Sequence, residues 1–288
     1  MRNGYHQSVS LLTTVACLLL LLSCQKPEEA APAPTSTIPY VPPVYSFSEQ
    51  PVWQDEFATD GLPGSTKWGY DLGGSGWGNR EQQYYTKELT NARVENGKLV
   101  IEARKETNGS YTSARLVTKT KGDWKYGKVV VRAKLPQGRG TWPAIWMLPT
   151  NQVYGTQYWP DNGEIDIMEH VGFDPNVIHA STHSKLLNFT LNTQKTAVVT
   201  VPAAMSEFHN YTLEWTPELM KISVDENTYF TFQIPGNDWR SWPFDQPFHL
   251  LLNIAVGGDW GGQKGIDDTI FPQRLEVDYV RVYSLVQK

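Results

Sequence analysis

The sequence predicts an all-β protein, an antiparallel sandwich or jelly roll, and three observations lead there. Short runs show period-two apolar alternation, Gly, Asn, Asp and Pro turns separate them, and no stretch keeps helical periodicity with caps at both ends. The clearest runs are 98–104, 127–135, 142–148, 163–171, 177–183, 211–216, 219–224, 228–234, 249–256 and 275–283. Asp225-Glu226-Asn227, between two of them, reads as a hairpin turn. Strands this numerous pack as two sheets face to face, with inward side chains filling the space between them. No repeat period is visible, which argues against a propeller or solenoid.

The 288-residue chain is 40% hydrophobic, 19% charged and 12% aromatic, with 11 Trp and a formal net charge of −5. Its length suits one large domain or two small ones, and either can bury a sizeable core. No basic stripe exists to neutralise phosphates, so a nucleic-acid partner is not expected. Sparse charge with abundant Trp is common in all-β proteins that handle sugars.

The first 23 residues read as a leader rather than part of the fold. Arg2 precedes Leu11-Leu12 and the run from Leu18 to Leu22, an apolar stretch too short for a membrane span. Leu21-Leu22-Ser23-Cys24 resembles a bacterial lipobox, in which cleavage precedes a lipid-bearing Cys24. The expectation is an exported lipoprotein anchored by Cys24, at the outer membrane or surface of a Gram-negative cell. Cys17 would leave with the leader, so no disulfide is expected. Residues 24–50 include Pro27, Pro32, Pro34, Pro39, Pro42 and Pro43 and read as an extended tether, about 3 Å per residue where polyproline-like. One β domain is expected from 51 to 288, as a monomer.

The segment Gly163-Glu164-Ile165-Asp166-Ile167-Met168-Glu169-His170 is the most informative. Acids are depleted in strands, yet three occur here within an apolar run. Glu164 and Asp166 share a face, but strict alternation would send Glu169 into the core, where an unpaired carboxylate costs several kcal/mol or loses its charge. A β-bulge at Ile167-Met168 removes the conflict. It leaves Ile165, Ile167 and Met168 on the core side and returns Glu169 to the face of Glu164. The two Glu then sit roughly 13 Å apart at Cα, at ~3.3 Å per step, and inward-leaning side chains on a bent strand can approach the roughly 5 Å that suits retaining glycoside hydrolysis. Asp166 between them hinders full ionisation of the three and keeps an acid available near neutral pH.

At this point the chain resembles glycoside hydrolase family 16, in particular its laminarinase-like β-glucanases. Glu164-Ile-Asp-Ile-Met-Glu169 is similar to that family's bulged catalytic signature. Trp77-Gly-Asn-Arg-Glu-Gln-Gln-Tyr-Tyr-Thr86 resembles its glucan-binding loop, and Trp142-Pro-Ala-Ile-Trp-Met-Leu-Pro149 the strand before the catalytic one. The segment 249–262, with Asn253 and Gly257-Gly258-Asp259-Trp260, resembles a later cleft segment, and Val277-Asp-Tyr-Val-Arg-Val-Tyr283 the closing strand. The resemblance spans about 51–285 and implies a concanavalin-like jelly roll with a concave cleft. It implies Glu164 as nucleophile, Asp166 as its hydrogen-bonded partner and Glu169 as general acid/base, with retention at the anomeric carbon.

Trp142, Ala144 and Trp146 share one strand face and Pro143, Ile145 and Met147 the other, and both faces are apolar. The resemblance assigns Trp142 and Trp146, joined by Trp260, to the sugar side, where flat rings stack on a pyranose. It also raises Asn79 and Arg80 to sugar contacts. His183 ends the strand after the catalytic one and borders the cleft or is structural, while His170 and His179 are expected to be structural. Catalysis needs no cofactor on this reading. A structural calcium ion on the convex side is implied, held by Glu56, the Gly97 carbonyl and Asp278, since oxygen donors suit Ca²⁺.

The expected substrate is β-1,3-glucan or mixed-linkage β-1,3/1,4-glucan. Arg80 is the one clear basic residue in the cleft motifs, which favours a neutral glucan over the sulfated galactans of a carrageenase. An agarase or transglycosylase of the same family is one alternative. A non-catalytic glycan-binding lipoprotein is another, although loss of one of the two Glu would be its mark.

Overall fold

A computed structural model of the chain describes residues 44–287, so the leader, Cys24 and residues 24–43 of the expected tether lie outside the described residues. Two large sheets face each other. In one, of ten strands, the order runs Asn227–Gln233, Leu219–Val224, His209–Trp215, Gly127–Lys134, Gln273–Tyr283, Lys98–Lys105, Tyr111–Ser113, Gln83–Tyr85. Trp53–Asp55 and Ala92–Glu95 complete it. The other has eight strands, ordered Lys195–Thr200, Val177–His183, Glu164–Glu169, Thr141–Pro149, Phe248–Val256, Arg115–Val117, Gly69–Tyr70, with Asp123–Trp124 beside Phe248–Val256. Pairing is antiparallel except between Gln83–Tyr85 and Tyr111–Ser113.

Alternation places the core where the sequence predicts it. Along Gly127–Lys134 the buried positions include Val129, Val131 and Ala133, which meet Ile145 and Met147 of the opposite sheet in one apolar cluster. Phe248–Val256 is buried at every position, as befits a central strand covered on both faces. The Asp225-Glu226 turn links strands that pair from Val224 with Asn227, and Asp225 has φ +54°, the left-handed conformation such tight hairpins need.

Three features differ from the sequence reading. Tyr45–Phe47, inside the expected tether, is a strand that pairs with Leu285–Gln287. Lys195–Thr200 is an exposed edge strand with no clear apolar alternation to mark it, since only Ala197 and Val199 are partly covered. In the run 275–283 a second bulge lies at Asp278, where the pairing shifts between Arg132 and Ala133. It keeps Leu275 and Val277 on one side of the irregularity, and Val280 and Val282 on the other, all facing the core.

Candidate active site

The carboxylate strand sits within the eight-stranded sheet, between Thr141–Pro149 and Val177–His183. Pairing with Thr141–Pro149 runs Trp146 with Asp166, then Ile145 with Met168, so Ile167 is the extra residue. Ile165, Ile167 and Met168 are fully buried in the core, while Glu164 and Glu169 are half-buried on the outer face. The bulge therefore lies where the conflict between apolar and acidic positions required it.

Burial dominates the electrostatics of the three carboxyls. It pushes Glu164 up to about 8, helped by the charge of Asp166. Glu169 rises to about 7, again through burial, with the Trp142 N–H at 3.0 Å from its Oε1 drawing it down. Asp166, only 2% exposed, is raised well above the usual range by burial and by Glu169. A low-polarity site tolerates one negative charge among the three far better than two or three. Asp166, the most buried, is the natural holder of a proton that it shares with Glu164. Glu164 also feels the Arg115 cation, which draws its carboxyl part of the way back toward the charged form.

His183 pairs in register with Glu164 and is 6% exposed, with its Nε2 3.2 Å from Asp166 Oδ2. Glu164, Asp166 and His183 present ligand-type atoms within 4.8 Å of one another, a grouping that could hold a metal ion.

Around this centre the expected cleft residues converge. Ile145 and Met147 point into the core, so Trp142 and Trp146 take the outer face, which decides the question that two apolar faces left open. Trp142 meets Trp260 edge-on at 5.6 Å, and Trp260 in turn packs against His179 at 4.8 Å. His179 faces Glu169 across the strand pair, so it belongs to the surroundings of the site, while His170 is fully buried and bonded to the Val177 carbonyl. Trp146 donates to Asn253 Oδ1 at 2.7 Å. Asn79 bonds Glu81, and the exposed Arg80 is ion-paired with Asp259.

Sequence reasoning missed Arg115, Trp77, Glu81 and Tyr85 as site residues. Arg115 is 8% exposed and lies over the rings of Trp77 at 4.8 Å and Trp146 at 4.6 Å, with Asp71 Oδ2 3.0 Å from its Nε. Arg80 is thus not the sole basic residue near the cleft, but the second cation is sandwiched by rings and paired. One face of Trp146 is covered by it. No local signal marks Arg115, which sits in a short strand paired with Asn253. Glu81 and Tyr85 lay in the loop motif, where an acid four residues before a tyrosine carries no pattern of its own.

The expected calcium ligands do not fit a cation as they stand. Glu56 accepts two hydrogen bonds from the Arg281 guanidinium, both 2.8 Å, and Asp278 is paired with Arg132. Gly97 lies in the turn before Lys98–Lys105 with φ +70°. Both carboxylates are already neutralised by arginines, and a guanidinium in the ligand position repels a divalent ion.

A sequence profile of glycosyl hydrolases family 16 matches residues 79–281. A β-glucanase of Rhodothermus marinus is 58% identical over 244 residues, covering 82% of this chain and 85% of that protein. The X-ray structure of the laminarinase from Rhodothermus marinus superposes with a TM-score of 0.81 at 56% identity, covering 85% of this chain and 99% of that one. A mutant of SCLam, a non-specific endo-β-1,3(4)-glucanase of the same family, superposes at 0.78 with 44% identity, over 84% of this chain and 99% of that one. That crystal holds 1,3-β-D-cellobiosyl-glucose at its active site. With carboxylates, bulge and tryptophans arranged as described, the chain belongs to glycosyl hydrolases family 16.

Proposed function

We propose that the protein is a retaining endo-β-1,3(4)-glucanase, with Glu164 as nucleophile and Glu169 as general acid/base. The observation that carries this reading is the bulge at Ile167, which leaves both glutamates on one solvent-facing side of a strand whose other side is core. Ionised Glu164 attacks the anomeric carbon while Glu169 gives its proton to the departing glycosidic oxygen. Asp166 keeps a proton against Glu164 and steadies the carboxylate before attack. Once the glycosyl ester has formed, Glu169 is the base that takes a proton from water, and attack on the ester releases a product of unchanged configuration. Trp142 holds Glu169 in place through its N–H. Trp142 and Trp260, both half-buried, offer aromatic surface for stacking on a glucan ring.

Retention is tested by following the anomeric protons of early laminarin products by NMR. Appearance of the inverted anomer first would remove Glu164 from the nucleophile's role. Glu164→Ala should abolish turnover, with azide partly restoring it. The choice of a neutral glucan over a sulfated galactan is supported by the pairing of both nearby arginines, Arg80 with Asp259 and Arg115 with Asp71.

The enzyme is further proposed to act as an exported lipoprotein at the outer membrane, held by Cys24 and the proline-rich tether. Leu21-Leu22-Ser23-Cys24 and the six prolines between Pro27 and Pro43 support this. Cys24→Ala should release the protein from the membrane fraction, and an unchanged membrane fraction would sink the proposal.

A further inference from the structure

Glu81 is a half-buried carboxylate that the chemistry above leaves unused, and burial raises its pKa. It accepts hydrogen bonds from Gln83 Nε2 at 2.6 Å, Tyr85 Oη at 3.2 Å and Asn79 Nδ2 at 3.3 Å. Tyr85, fully buried, in turn accepts from Asn253 Nδ2 at 3.0 Å, and Asn253 Oδ1 accepts from Trp146 Nε1. Gln83, 1% exposed, turns its Oε1 to the Val256 N–H at 2.7 Å.

Both chains start at groups that only donate, the Trp146 indole and a backbone N–H. Both end on oxygens that accept. Every amide and hydroxyl between them then has a single satisfying orientation. With its acceptor gone, the Tyr85 hydroxyl would be free to turn toward Asn253. An amide that flips to receive it presents NH₂ to the Trp146 N–H, and that bond is lost.

We propose that Glu81 is a positioning residue of the glucan cleft, whose acceptor oxygens set the polarity of these chains and through them orient Asn253 and Trp146. The role in glucan binding rests on the function proposed above. The backbone adds a second tie, since Glu81 bridges to Gly257 and the Asp259 N–H donates to the Asn79 carbonyl, linking this loop to the one that carries Trp260.

The test compares Glu81→Met, which keeps bulk but has no strong acceptor, with Glu81→Gln, which keeps one oxygen for Tyr85 and Gln83 while Asn79 turns its amide. The Met variant should raise KM for laminarin about tenfold with kcat within about twofold, the pattern of lost uniform binding. The Gln variant should recover most of that loss. In the substrate-free protein, the Trp146 indole N–H resonance should move in Met and stay near its wild-type position in Gln. Tyr85→Phe removes the hydroxyl whose turning drives the flip, so added to Glu81→Met it should return the resonance toward its wild-type position, and Glu81→Leu serves if the Met variant fails to fold. An unmoved resonance in Met or Leu, no return on adding Tyr85→Phe, or equal damage from Met and Gln overturns the proposal. Because the resonance is read without glucan, a wild-type protein inert on laminarin would defeat the proposed function and leave this relay separately decided.

Discussion

Replacing Glu169 by glutamine should make the protein more stable at alkaline pH while destroying its activity. Burial lifts this carboxyl from 4.5 to about 7, so the folded chain holds a proton there that the unfolded chain has already released. Stability from such a group is complete below the unfolded pKa and drains away as pH rises through the folded one. By about pH 8 the wild type has lost about 3 kcal/mol, from the 2.5-unit difference at 1.36 kcal/mol each. Glutamine carries no charge and still offers an oxygen to the Trp142 N–H. Its buried amide offsets part of the gain, leaving about 1–3 kcal/mol, or about 3–10 °C in Tm for a domain of this size. At about pH 4.5 the same substitution should gain well under about 1 kcal/mol. Calorimetric melts of both proteins at the two pH values decide the matter. A Tm difference that is absent at the higher pH, or equal at both, would refute the picture of a carboxyl forced to ionise in a buried, already negative site.

Trp142→Phe removes the N–H that favours the charged form of Glu169, so the alkaline limb of the kcat/KM profile should move upward by about half a pH unit or more. An unmoved limb would show that this bond does not tune the acid. Glu102, 2% exposed, accepts from Arg93 and Arg274 at 2.9 and 2.8 Å and pairs with Arg104. Glu102→Gln removes the buried charge that Arg93, Arg104 and Arg274 share, while Glu95 and Glu106 still pair with them, so it should cost about 1–3 kcal/mol in urea unfolding, and no measurable loss would mean that the cluster relaxes into water. EDTA should leave the Tm unchanged, because arginines already neutralise Glu56 and Asp278, and a drop of several degrees would instead demonstrate a bound cation.

The carboxylate strand was legible because its conflict is local. Three acids cannot share a strand with Ile165, Ile167 and Met168 unless one residue is extra, and that parity holds whatever the strand packs against. The ten strongest strands and the Asp225-Glu226 hairpin were readable for the same reason, since period two and turn chemistry are properties of neighbouring residues. Decisions that depend on which distant segments meet were not legible. Tyr45–Phe47 becomes a strand only because Leu285–Gln287 comes to lie beside it, from the far end of the domain. Arg115 enters the cleft only because its strand pairs with Asn253, next to Trp146. Glu56 and Asp278 look alike as ligands or as ion-pair partners until Arg281 and Arg132 arrive across the sheet. Which face of the 141–149 strand turns outward waited likewise on the packing of Ile145 and Met147. Alternation and residue chemistry are thus written along the chain, whereas burial, charge pairing and hydrogen-bond direction come from contacts between remote segments, which no local pattern encodes.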